Sequence, residues 1–225
     1  MKTKIERQET ASSDNLPVVN VSAAQEINNL EQNAATDSFV ALAEADNEAT
    51  VATAELRVFY DSMTALPNRD LFNDRLAHAI SLADRHDWTL AVMFLDLDHF
   101  RNINDRHGFT AGDRVLKEVA QRLLDHSREE DTVCRNRDDE FLYLLMNPQG
   151  AGSVARIASQ ILTNIAQPID IGDVQLVINT SIGIAVYPKN GTTGEQLIRN
   201  ADDAMCSAKE RLGGGVFVHA QEMGK

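Results

Sequence analysis

The sequence predicts an α/β domain, a central mixed sheet covered by helices, preceded by a helical linker and a flexible tail. Three observations predict it. Residues 88–97, WTLAVMFLDL, form a near-continuous apolar run, the pattern of a central strand buried on both faces. The stretches around it space their apolar residues three and four apart, the period of amphipathic helices. Residues 131–146 hold two apolar runs either side of a polar tip, as a β-hairpin does.

Taken in order, residues 1–36 are rich in Asn, Ser, Thr, Gln, Ala and Glu, and read as a flexible acidic tail. Residues 37–60 turn helical, with Phe39, Val40, Leu42, Ala43, Val51, Ala54, Leu56 and Phe59. That segment is either a plain linker or a stalk that dimerises the domain or passes a signal to it. The regular domain is expected over 61–220. Residues 69–85 carry Leu71, Phe72, Leu76, Ala79, Ile80, Leu82 and Ala83 at helical spacing. After the 88–97 strand comes a short helix stopped at Gly108. An amphipathic helix follows, with Val115, Leu116, Val119, Ala120, Leu123 and Leu124 on one face and Thr110 as N-cap. The hairpin strands are expected near 131–136 and 140–146, then a helix within GAGSVARIASQILTNIAQ. VQLVINTSIGIAVYP reads as two strands or one bent one, with Gly183 marking the irregularity. A last helix in TTGEQLIRNADDAMCSAKER and a closing strand, GVFVHA, complete the domain; 221–225 is a C-terminal tail.

Composition narrows the function. The 21 Lys and Arg against 34 Asp and Glu give a net charge of −13. With no Lys/Arg cluster, such a chain repels a polyanion, so DNA binding is not expected. A small anionic ligand held by a metal or a few arginines remains compatible. The longest apolar run is far short of the roughly 18 residues that a membrane span needs. The N-terminus lacks the apolar core of a signal peptide. Cys134 and Cys206 have no metal-ligand spacing and read as reduced thiols of a cytoplasmic protein.

Two acidic clusters stand at strand ends. FLDLDHF puts Asp96 and Asp98 at the end of the buried strand, and Asp139 and Glu140 follow the hairpin tip. If the hairpin pairs beside the 88–97 strand, Asp96 and a tip carboxylate converge. Converging carboxylates suit Mg²⁺, which takes hard oxygen ligands, often one or two carboxylates plus phosphate oxygens. The alternative is an acidic chain whose loops happen to collect carboxylates.

Several motifs together resemble the GGDEF domains of diguanylate cyclases, which join two GTP into cyclic di-GMP. DSMTALPNR (61–69) is similar to the family's opening motif D-x-L-T-G-L-x-N-R. FLDLDHFRNINDRHGFTAGDRVL (94–116) resembles its metal- and guanine-binding stretch. RNRDDEF (135–141) stands where R-x-G-G-D-E-F is expected, and SIGIAVYP (181–188) and NADDAMCSAKERLGG (200–214) resemble the later segments. The resemblance implies a palm-like fold and a set of roles. Asp96, the Leu97 carbonyl and Asp139 would hold Mg²⁺, with Glu140 the adjacent signature carboxylate. Asn104 and Asp113 would recognise guanine, and Lys209 would contact the triphosphate. Arg128 and Asp131 form an R-x-x-D at the offset of the inhibitory site that binds cyclic di-GMP.

The departures are specific. Arg137 and Asp138 replace the two signature glycines, whose bare backbone lets nucleotide lie against the turn. Leu212, Gly213 and Gly214 replace Gly-Arg-Asn, removing a phosphate-binding arginine. Each loss removes a few kcal/mol of transition-state stabilisation, about a hundredfold in rate. The expected function is therefore a catalytically impaired GGDEF domain acting as a receptor for cyclic di-GMP or GTP. The alternatives are a weak Mg²⁺-dependent cyclase and an interaction module that binds no nucleotide. A homodimer is a further expectation, as is an adjacent EAL domain, since the 213–225 tail resembles the segment joining GGDEF to EAL domains.

Overall fold

The computed structural model describes residues 58–148, 151–172, 174–212 and 215–218. The tail at 1–36, nearly all of the 37–60 linker, Gly213 and the 221–225 tail lie outside the described residues.

Twelve elements are described. They are α1 (Arg69–His86), β1 (Leu90–Leu97), α2 (Phe100–His107), α3 (Phe109–Leu124), β2 (Thr132–Arg137), β3 (Glu140–Met146), α4 (Ala151–Ile165), β4 (Ile169–Asp170), β5 (Gln175–Leu176), β6 (Thr180–Tyr187), α5 (Gly194–Leu212) and β7 (Gly215–Val218). Five strands form one sheet in the order β2-β3-β1-β6-β7, and β4 and β5 form a separate two-stranded ribbon. β1 is central and runs antiparallel to both β3 and β6; β7 joins β6 in parallel. The mixed sheet expected from the sequence is thus present.

The alternation of β1 divides the core. Leu90, Val92 and Phe94 face α1 and α5, packing with Phe72, Leu76, Leu197, Ala201 and Met205. Ala91, Met93, Leu95 and Leu97 face the other way, onto Phe100, Val115, Val119, Leu123 and Ala158. A strand with period-two side chains can be apolar at every position only if both faces are covered. Here they are. By the same alternation Asp96, at the end of β1, belongs to the α1/α5 face.

Three boundaries differ from the sequence reading. β1 begins at Leu90, because Asp87 takes a left-handed backbone (φ 55) that closes α1. The N-cap of α3 is Gly108, at φ 83, without a side-chain cap; Thr110 sits inside the first turn. Gly108 both ends α2 and starts α3, a double duty that its positive φ permits. The irregularity in 174–188 lies before Thr180 and not at Gly183, which is inside β6 in unbroken register with Phe94. Gly183 is there for space: a Cβ would meet Ala201 O at 2.0 Å and Met205 N at 2.2 Å.

Among the described residues no helix is long and apolar enough to cross a membrane. Cys134 is buried and Cys206 exposed, both free. Burial pushes the Cys134 thiol up to about 12, so it stays protonated at neutral pH.

Candidate functional site

The site forms where the hairpin tip meets the end of β1. Asp96 registers opposite Glu140 across the β1–β3 ladder, and the Leu97 amide donates to Asp139 O at 3.3 Å. Strand pairing alone therefore brings Asp96, Asp139 and Glu140 to one edge. The Lys209 ammonium, from α5, donates to Asp96 Oδ1. Burial raises the Asp96 pKa, Lys209 opposes the shift, and Glu140 and Asp98 add to it. Asp139 is raised too, first by burial and then by the charge of Asp96. These carboxylates crowd one another, and Lys209 offsets part of the repulsion.

Asp98, near enough to Asp96 to raise its pKa, is held by the neighbouring strand. Its Oδ1 accepts from Ser181 Oγ at 2.8 Å, on β6. Among the described residues, no three His, Cys, Asp or Glu side chains form a metal-binding group. Two half-buried, mutually repelling carboxylates still suit a hard cation that takes its remaining ligands from phosphate oxygens and water.

The tip itself is held from outside. Arg135 donates Nη2 to Asp138 O at 2.9 Å and Nη1 to Asp61 Oδ1 at 3.0 Å. Asp61 also accepts from the Thr64 amide at 2.8 Å and the Thr64 hydroxyl at 2.6 Å. Burial alone would raise the Asp61 pKa, but the Thr64 hydrogen bonds and Arg135 bring it below the ordinary carboxylate value. The D-x-x-T segment thus fastens the start of the domain to the tip. Arg135 is the residue the sequence reading passed over, although it stands in the quoted motif.

Arg137 and Asp138 behave differently. Asp138 takes φ 41, the left-handed conformation that glycine adopts without a Cβ penalty. Arg137 remains in β2 and forks onto Glu140, with Nε to Oε2 at 2.9 Å and Nη2 to Oε1 at 3.3 Å. Asn136 Nδ2 donates to the same Oε2 at 2.7 Å. The signature carboxylate is occupied.

A cleft of about 400 Å³ opens on the α2/α3 side, with Asn104, Asp113, Asp138 and Asp139 in its wall. Asn104 lies over Gly112, where a Cβ would stand 1.9 Å from its Oδ1. Phe109, 79% exposed, is at the rim of the same cleft. Its signal in the sequence was a large apolar residue outside the buried stripe of α3. So four sequence-selected residues share one cleft, and Asp96 and Lys209 meet beside it at the end of β1, close enough for both to act on the charge of Asp139. Gly213 lies outside the described residues.

Arg128 and Asp131 lie elsewhere, before β2. Asp131 is only 7% exposed and accepts from Arg128 N at 3.0 Å, Tyr143 Oη at 3.2 Å and Met146 N at 2.9 Å. The Arg128 side chain is half exposed and reaches Glu130 at 3.8 Å.

This geometry agrees with comparison to known proteins: the family model described as diguanylate cyclase, GGDEF domain, matches residues 58–214. The chain belongs to the GGDEF family. It is 43% identical over 152 residues to the bifunctional diguanylate cyclase/cyclic di-GMP phosphodiesterase MucR of Pseudomonas aeruginosa, covering 68% of this chain and 22% of MucR. It is 38% identical over 163 residues to the cyclic di-GMP phosphodiesterase PdeR of Escherichia coli, covering 72% of this chain and 24% of PdeR. The solved GGDEF domain of TpbB from Pseudomonas aeruginosa superposes with a TM-score of 0.70 at 40% identity, covering 72% of this chain and 94% of that one. The GGDEF chain thus spans about a quarter of the length of MucR and PdeR.

Proposed function

We propose that this GGDEF domain binds guanine nucleotide or cyclic di-GMP as a regulatory module and turns GTP over poorly or not at all. The observation that carries the reading is the hairpin tip. Arg137 clamps Glu140, and Asp138 places a carboxylate in the wall of the cleft that holds Asn104, Asp113 and Asp139. An added negative charge there opposes a triphosphate. The retained side chains support binding. Asp113 accepts from the guanine N1–H and amino group, Asn104 bonds another edge of the base, and Phe109 is placed to cover its ring. Asp96, Asp139 and the Leu97 carbonyl would hold Mg²⁺, and Lys209 would move from Asp96 onto phosphate. Bound there, Mg²⁺ supplies charge neutralisation of the phosphates.

Relatives named as phosphodiesterases, aligned over about a quarter of their length, support a domain that works beside others. An EAL domain or a second copy of this chain fits that role. Arg128, with Asp131 beneath it, is the proposed product site.

The test is calorimetric titration with cyclic di-GMP and, separately, with GTP and Mg²⁺, assaying the second mixture for product. The expected result is binding of cyclic di-GMP that Arg128→Ala weakens at least about tenfold, with no product from GTP. Product abolished by Asp139→Ala would replace this reading with a weak cyclase. No binding of either ligand would leave an interaction module.

A second prediction isolates Asn104. In Gly112→Ala the new Cβ drives into the Asn104 carboxamide at 1.9 Å and presses on the Phe100 ring at 3.1 Å, but meets none of the backbone beyond its own helix. Guanine-nucleotide affinity should fall about tenfold, the value of one lost hydrogen bond, while stability changes by less than about 1 kcal/mol. Titration beside urea denaturation measures both, and unchanged affinity would remove Asn104 from the site.

A further inference from the structure

A second cleft, of about 480 Å³, lies on the α1/α5 face, between the start of α1, the hairpin tip and the N-terminal half of α5. Arg69, Arg137 and Arg199 line it with Asn136, Glu195 and Asp202. Three guanidiniums around one cleft are unexpected in a chain of net charge −13. Arg69 spends its hydrogen bonds on neutral carboxamides, Asn136 at 2.8 Å and Asn73 at 3.2 Å. Arg137 forks onto Glu140. Arg199, exposed, has no ion pair among the described residues. Glu195 and Asp202 form no ion pair with these arginines among the described residues, although Arg137 stands close enough to Asp202 to oppose the rise that burial gives its pKa.

This cleft is separate from the guanine cleft, which opens on the opposite side of the sheet. It lies along α5 from Lys209. Asp202 precedes Lys209 by seven residues on one helix, or about 10 Å at 1.5 Å per residue, and Arg199 stands farther still. The lining offers guanidinium forks and a carboxamide beside the Glu195 and Asp202 carboxylates; its one aromatic, Phe94, is buried in the core and 3% exposed. Forked donors match phosphate oxygens, and the lining has no exposed aromatic on which a base would stack.

We propose that this cleft binds a di- or polyphosphate group, and that Arg137 completes it. The residue that replaces the first signature glycine thereby gives the tip a second anion site on the face away from guanine. The phosphate belongs either to a nucleotide or to free pyrophosphate, which share this chemistry.

The probe is inorganic pyrophosphate, titrated without Mg²⁺ into the full chain at low and high salt. Wild type should bind, more weakly as salt rises. Arg199→Ala, which breaks no described contact, should weaken binding about tenfold, and Arg137→Gly by at least a few fold. Asn104→Ala should leave it unchanged, which separates this site from the guanine cleft. A guanosine diphosphate arm distinguishes the sources: the same dependence on Arg199 with tighter binding means a nucleotide, equal affinity means pyrophosphate itself. No binding by wild type at about 10 mM, affinity indifferent to Arg199→Ala, or citrate binding as tightly as pyrophosphate overturns the proposal.

Discussion

Gly183→Ala destabilises the domain by about 4 kcal/mol or more, at the exceptional end of single substitutions. The reason is geometric. Gly183 sits in β6 opposite Phe94 of the central strand and pairs with Phe217 of β7 on its other side. Above it α5 approaches so closely that a Cβ would stand 2.0 Å from Ala201 O, 2.2 Å from Met205 N and 2.8 Å from Met205 Cα. All three atoms are helix backbone. A flexible side chain can swing away from a new methyl, whereas a helix must move as a body. Lifting α5 separates Leu197, Ala201 and Met205 from the core that they share with Phe72 and Phe94. Overpacking that can relax costs about 1–3 kcal/mol; this one has no soft direction. Lys209 rides on the same helix, so any folded population should also lose the Lys209–Asp96 contact. The urea midpoint measures the first effect. A loss under about 1 kcal/mol would mean that α5 does not pack this closely on β6.

That close approach shows which parts of the fold could be read from residues alone. The near-continuous run 88–97 announced a strand covered on both faces, since nothing else buries successive side chains of an extended chain. The amphipathic stripes of α1 and α3 announced their helices for the same periodic reason. Gly183 could not be read that way. A glycine in a strand looks the same whether it marks a bulge or a helix resting on it, and only the packing of α5 decides between them. Thr110 failed as a cap because Gly108 already ends one helix and starts the next, leaving no room for a separate capping residue. In the site, Asp96 and Glu140 were legible because ladder register fixes them opposite each other. The Arg137–Glu140 fork was not, because the direction of a long side chain at a hairpin tip has no periodic signature. Phe109 was missed because a lone exposed aromatic resembles a misplaced core residue.

Asp131→Ala costs about 3 kcal/mol of stability, and this decides how the proposed product site must be probed. Asp131 accepts from the amides of Arg128 and Met146 and from the hydroxyl of Tyr143, whose single proton it shares with His126 O. It ties the turn before β2 to the end of β3 through one buried and two part-buried hydrogen bonds. Tyr143 is fully buried, and burial together with the Asp131 carboxylate holds its hydroxyl far above the usual range, so it remains a donor. Removing the carboxylate leaves the Met146 amide without its acceptor, while Tyr143 keeps only His126 O at 3.1 Å. Hydrogen bonds to a charged acceptor contribute about 1.5–3 kcal/mol each, and not all of the loss is recovered by water at a buried site. Arg128→Ala removes a half-exposed side chain whose one ion pair among the described residues, with Glu130, spans 3.8 Å, and should change stability by less than about 0.5 kcal/mol. The pair of variants therefore separates pillar from ligand contact. Parallel urea denaturation should show a large shift for Asp131→Ala and none for Arg128→Ala, and titration with cyclic di-GMP should then be interpreted from Arg128→Ala alone. An Asp131→Ala protein of unaltered stability that has lost the dinucleotide would reverse the assignment, making Asp131 a ligand contact and not the pillar beneath one.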